Sequence, residues 1–310
     1  MKRIFVLLSA LAFGVVPFAQ EIPQGATATA PQQAEASAPA QAVTLSLSRP
    51  AKRGDAYTLA MDTAIHQEGR MSADGINEMG GAQDLSFAFS AKIRVLDVTP
   101  AGEPAVMVVK VESAKLTLKE GKTDPMKVEG AELGVSFPQG KPHFIRRDGQ
   151  EISKEEAMIL GQIFHPPTGI DEDKLMGPGR PVKPGESWPL DKGMLMAEFK
   201  AGIPESVTLT ADAVEGRATF LGIEPWNGAP CQKVAADYTL KTGDIGRFIG
   251  EGLTKIHQEM WVPVDPAVKT SRIANQVTSS MRGKVRTEDN RLIDIKSQNT
   301  VKSTVEIKGA

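Results

Sequence analysis

From Leu85 the chain alternates. Leu85, Phe87, Phe89, Ala91, Ile93 and Val95 hold one phase, and Ser86, Ala88, Ser90, Lys92 and Arg94 the other. A period of two puts one set on a buried face and the other in water, which predicts a β-strand. The phase slips near Leu96, as a β-bulge would make it do. The C-terminal stretch repeats the pattern. Ile293, Ile295, Val301, Val305 and Ile307 share one phase, and Asp294, Lys296, Gln298, Lys302 and Glu306 the other. One solvated face is the mark of an antiparallel sheet, and no strand–helix alternation of the parallel kind is present. Helical spacing stands out at one place. Ser153 and Glu156 form a capping box, and Ile159, Leu160, Ile163 and Phe164 follow at helical intervals before His165-Pro166-Pro167 stops the run.

Two segments are nearly the same. RPAKRGDAYTL runs from Arg49 to Leu59, and RPVKPGESWPL from Arg180 to Leu190. Gly54 and Gly185 fit a tight turn that other residues resist. Tyr57 and Trp188 then read as aromatic anchors at the start of a strand. Further pairs follow in the same order at a nearly constant interval: Leu96–Pro100 with Leu221–Pro225, and Phe137–Pro142 with Trp261–Pro266. The expected fold class is therefore mainly β: two tandem antiparallel β lobes with long curved strands and one or two covering helices. Residues 43–169 form the first lobe, ending in the helix, and residues 170–310 the second.

The N-terminus changes the setting. Lys2 and Arg3 precede an uncharged apolar run from Ile4 to Phe18, too short for a bilayer span and patterned as a secretory signal. Residues 1–19 are expected to be a signal peptide. Residues 20–42, rich in Ala, Pro and Gln and without aromatics, are expected to be a disordered tether. The protein is then exported, periplasmic or extracellular, with no transmembrane span beyond the signal. The formal net charge of −2, with both signs interspersed, offers no basic block for nucleic acid. Cys231 is the sole cysteine, so no internal disulfide supports the fold; it reads as a small buried thiol.

The search for chemistry yields no catalytic residue, no metal site and no cofactor. His66, His143, His165 and His257 are too far apart for a helical zinc pair. No nucleophile elbow, phosphate loop or dinucleotide fingerprint occurs. Asp171-Glu172-Asp173 lacks the later Gly and Glu of a calcium loop and suits a helix start instead. The residues singled out are the structural repeat anchors Gly54, Tyr57, Gly185 and Trp188. Ligand-binding residues are not legible.

The motif K-x-G-[DE]-x-[YW], at Lys52–Tyr57 and Lys183–Trp188, resembles that of uncharacterised exported bacterial proteins of unknown function. Leu221–Cys231 and the WVPVDP hairpin at Trp261–Pro266 extend the likeness. The resemblance implies an extracytoplasmic β-rich protein. A more distant architectural likeness is to the periplasmic lipoprotein carriers. The functional expectation is a non-enzymatic exported binding or scaffold protein of the cell envelope, partnered by an envelope protein. The alternative is a carrier of a lipid or other apolar ligand, with Phe87, Phe89, Met158, Met176, Met194 and Met196 as an adaptable lining. A third is a hydrolase with dispersed carboxylates.

Overall fold

The computed structural model describes residues 41–73, 76–118, 123–202, 209, 211–244, 247–287 and 290–309. The expected signal peptide and nearly all of the expected tether lie outside the described residues. The chain builds one open sheet of 12 strands, antiparallel throughout. The first strands are long: β1 (Ala56–Ala73), β2 (Ile76–Val98) and β3 (Pro104–Leu118). Short β4 (Thr123–Pro125), β5 (Glu132–Ser136) and β6 (His143–Arg146) follow. Helices α1 (Lys154–Ile163) and α2 (Glu172–Met176) then lead to β7 (Ser187–Pro189) and α3 (Lys192–Gly202). The chain closes with β8 (Val214–Trp226), β9 (Ala229–Thr242), β10 (Phe248–Pro263), β11 (Ser271–Arg286) and β12 (Leu292–Gly309).

The strand order is β6-β5-β3-β2-β1-β12-β11-β10-β9-β8-β7, with β4 beside β3. β1 pairs with β12 from Tyr57↔Gly309 to Ala73↔Ile293. The two expected lobes therefore share one continuous sheet. The expected division near residue 170 falls between α1 and α2, where the chain crosses the helix-covered face rather than leaving the sheet.

Register assigns every side chain to a face. Met61 lies opposite Phe89 on one side and Val305 on the other, and the row continues through Ile273, Met260, Val234 and Phe220. All of these are buried. The helices sit on this inner face. Phe164, at the end of α1, meets Phe89 edge-on at 6.1 Å and Phe144 at 6.3 Å. Phe199 of α3 meets Tyr238 of β9 edge-on at 6.2 Å. Along β1, β12, β11 and β10 the inner positions carry no charged side chain, whereas the outer positions hold Asp62, His66, Glu68, Lys302, Glu306, His257 and Glu259. Burial of the uncharged face under the helices supplies the hydrophobic drive for the fold.

The local signals hold. The capping box of α1 is present on both sides, with Glu156 N donating to Ser153 Oγ at 3.2 Å. The buried Glu156 also accepts from Val128 N at 3.0 Å, tying α1 to the loop before β5. Asp171 caps α2 by accepting from Asp173 N. The strand phase slips between Val95 and Asp97, where the register of β2 on β3 shifts. Cys231 is buried, and burial pushes its thiol pKa up.

Candidate functional site

The two K-x-G-[DE]-x-[YW] segments build the same turn. Lys52 N donates to Asp55 Oδ2 at 2.8 Å, and Lys183 N to Glu186 Oε2 at 3.1 Å. Gly54 N donates to Val95 O at 2.9 Å, and Gly185 N to Phe220 O at 2.7 Å. The returns match too: Val95 N donates to Asp55 O, and Phe220 N to Glu186 O. A register shift follows each partner, at Val95/Asp97 and at Phe220/Gly222. Gly54 (φ 91°) and Gly185 (φ 83°) occupy the backbone region that favours glycine.

The aromatic residues beyond the turns part company. Trp188 is 6% exposed and donates its indole N–H to the Met176 carbonyl at 2.9 Å. Tyr57 is only half-buried and forms part of the wall of a cavity. The difference lies in what each half places above the ring. Trp188 is roofed by the end of α2, whereas Tyr57 faces the segment that trails α1.

That cavity, of about 110 Å³, is the candidate site. Leu59 and Tyr57 of β1, Ile93 of β2, Met107 of β3 and Ile307 of β12 form its floor, and Ile163 and Phe164 come from the end of α1. Polar groups complete the lining: Asp55, Glu103, His165, Glu172, Glu198 and Lys269, each partly exposed. Glu103 accepts from Gly169 N at 2.8 Å and Thr168 N at 3.3 Å, which ties the segment after α1 to the turn before β3. Lys269 Nζ sits 2.9 Å from Asp55 Oδ2. Burial pushes the Asp55 carboxyl up, but the Lys52 amide and the Lys269 ammonium together outweigh it and hold the pKa below its ordinary value. Burial, and then the charge of Asp55, push the Tyr57 hydroxyl pKa up. An ionised, paired carboxylate beside a neutral phenol suits a fixed rim around an apolar floor.

The methionines picked out as a lining lie elsewhere. Met158 is 60% exposed, and Met176 is fully buried with its sulfur accepting from the Tyr238 hydroxyl. Met194 and Met196 pack against the core, away from the cavity walls. Phe87 and Phe89 are buried on the inner face but do not line the cavity. Met107 does, and nothing in its local pattern set it apart from other buried strand positions.

One repeated word escaped the sequence reading. Ile-His-Gln-Glu occurs at 65–68 in β1 and again at 256–259 in β10. In both, the histidine faces outward. His66 Nδ1 lies 2.6 Å from Asp84, and Nε2 lies 3.0 Å from Glu68. His257 Nδ1 lies 2.8 Å from Asp237. Hydrogen bonds to Asp84, and then to Glu68, push the His66 pKa up. Each ring nitrogen of His66 meets a different carboxylate, so the trio is an ion-pair chain. Among the described residues no group of three His, Cys, Asp or Glu side chains converges as a metal site.

No protein-family model matches the chain, and no curated protein sequence matches it. Partial similarity to solved structures is found. One is lipovitellin, studied for its lipid–protein interactions, at 9% identity and a TM-score of 0.33; the overlap covers 81% of this chain and 25% of that one, so this chain spans about a quarter of lipovitellin's length. A LolA superfamily protein from Nitrosomonas europaea overlaps at 9% identity and a TM-score of 0.18, covering 84% of this chain and 89% of that one. The outer membrane protein OprG from Pseudomonas aeruginosa overlaps at 6% identity and a TM-score of 0.17, covering 84% and 99%. Among the described residues no helix is long and apolar enough to cross a membrane.

Proposed function

We propose that the chain is an exported, non-enzymatic binding protein of the cell envelope that holds an apolar ligand on the inner face of its sheet. The observation that carries this reading is the apolar cavity of about 110 Å³ between the end of α1 and the uncharged inner face. An engineered apolar cavity of about 150 Å³ stays dry and takes benzene, so this space suits the end of a hydrocarbon chain or one ring of a larger apolar molecule. The charged groups of the lining are all partly exposed, so they remain solvated beside the apolar floor. Export is supported by the basic start and short apolar run of the first 19 residues.

The test is titration of the purified protein with N-phenyl-1-naphthylamine, a neutral apolar fluorophore, followed by displacement with long-chain hydrocarbons and alcohols. Met107→Trp fills the cavity from one side. Affinity is expected to fall at least about tenfold, with an overpacking cost of about 1–3 kcal/mol in stability. Absence of saturable binding to the wild type, or an unchanged affinity in the filled variant, would refute the assignment.

A further inference from the structure

A row of polar side chains crosses the middle of the inner face. Register places Thr63 of β1 opposite Ser303 of β12, Ser303 opposite Asn275 of β11, and Asn275 opposite Gln258 of β10. Each is at least nine-tenths buried: Thr63 is 3% exposed, Ser303 5%, Asn275 8% and Gln258 1%. The rows on either side are apolar, through Met61, Val305 and Ile273 and through Ile65, Val301 and Val277. Gln258 has a partner at hand, because its Oε1 lies 3.2 Å from the Tyr238 hydroxyl. Thr63 Oγ1, Ser303 Oγ and Asn275 Oδ1 have no hydrogen-bond partner among the described residues. Buried polar atoms without partners are rare, and each calls for a reason. Strand propensity accounts for Thr63 but gives none for Ser303 and Asn275, where Val or Ile would suit the strand better.

We infer that this row is the polar anchor of the ligand site and that the ligand is a neutral amphiphile, an acylglycerol-type ester or a long-chain alcohol. This rests on the apolar-ligand reading above and narrows it. The two hydroxyls can donate to a carbonyl oxygen, and Asn275 Oδ1 can accept from a hydroxyl, so the row matches a group that carries both. No inner-facing position of β1, β12, β11 or β10 is charged, so a buried carboxylate or phosphate would find no counter-ion there. The three unpartnered groups span three neighbouring strands, about 10 Å at the usual strand spacing. Leu59, in the cavity floor, lies four residues before Thr63 on the same strand and the same face, about 13 Å away. An ester bound at the row would thus direct its hydrocarbon tail towards the cavity below α1.

The test measures displacement of N-phenyl-1-naphthylamine by three competitors: monoolein, oleate at pH 8 and 1-octadecene. The wild type is expected to prefer monoolein over octadecene by about tenfold or more, the worth of one to two net hydrogen bonds, and to prefer it over oleate. The triple variant Thr63→Val, Ser303→Ala, Asn275→Leu should bring the monoolein-to-octadecene ratio below about threefold, while octadecene still binds. The isosteric Thr63→Val alone should narrow it part of the way, and it guards against misfolding of the triple variant. A preference that survives Thr63→Val and the triple variant overturns the anchor and leaves the row as a place for ordered water only. A wild type that favours oleate overturns the neutral head group. If no competitor displaces the probe, the apolar-ligand reading itself fails, which is a distinguishable result.

Discussion

The paired aromatics give the sharpest quantitative contrast. Trp188 and Tyr57 follow the same turn, yet Trp188 is 6% exposed and hydrogen-bonded to Met176 O, while Tyr57 is half-buried in the cavity wall. Truncating a buried large aromatic costs about 3–5 kcal/mol, through lost transfer energy and the cavity left behind. Trp188→Ala should cost that amount, because the ring is enclosed and the Met176 carbonyl loses its donor. Tyr57→Ala removes a ring with one side already facing open space, so it should cost about half as much. Urea unfolding at constant m-value reads both. In thermal scans the Trp188 variant should melt about 6–20 °C lower. Ligand binding should separate the two in the opposite sense, with Tyr57→Ala altering probe affinity and Trp188→Ala leaving it within a few-fold wherever the protein is folded. Equal stability losses, or a larger loss from Tyr57→Ala, would refute the claim that α2 encloses one ring and the cavity exposes the other.

Three further outcomes are expected. Gly54→Ala and Gly185→Ala should each destabilise by about 1–2 kcal/mol in equilibrium unfolding; an added Cβ meets nothing within 4 Å at either site, so the cost is torsional, from the positive φ alone. Glu156→Ala, which removes half of the capping box and the acceptor for Val128 N, should cost about 1–3 kcal/mol, and Ser153→Ala about 1 kcal/mol. His66 has a folded pKa raised above its ordinary 6.5, so its ion pairs stabilise fully below that value and the stabilisation is lost as pH rises through the folded pKa. His66→Gln should therefore lower the melting temperature at pH 5.5 and leave it unchanged at pH 9; the side chain is 46% exposed, so solvent screening keeps the effect to at most about 1 kcal/mol.

The sequence by itself determined what depends on near neighbours. Period-two alternation in β2 and β12 named the inner-facing residues, most of which are buried, although Leu85, Ile293 and Ile295 are only partly so, because the pleat sends successive side chains to opposite faces. The bulge after Val95 was legible as a slip in that same alternation, and the cap at Ser153, the cap at Asp171 and the two glycine turns because each is closed by bonds within a few residues or by one residue's backbone freedom. The antiparallel β class followed from these. Only the tertiary structure decided that Leu59 lies opposite Ile307, which joins the two halves through β1 and β12 into one sheet. That pairing links the ends of the folded chain, and no local pattern encodes it. The fates of Tyr57 and Trp188 were settled in the same way, by where α2 and the end of α1 come to rest above identical turns. The polar row is the clearest case. Thr63, Asn275 and Ser303 are unremarkable in their own strands, and only strand register brings these three buried, unpartnered oxygens into one line between two apolar rows of an uncharged face.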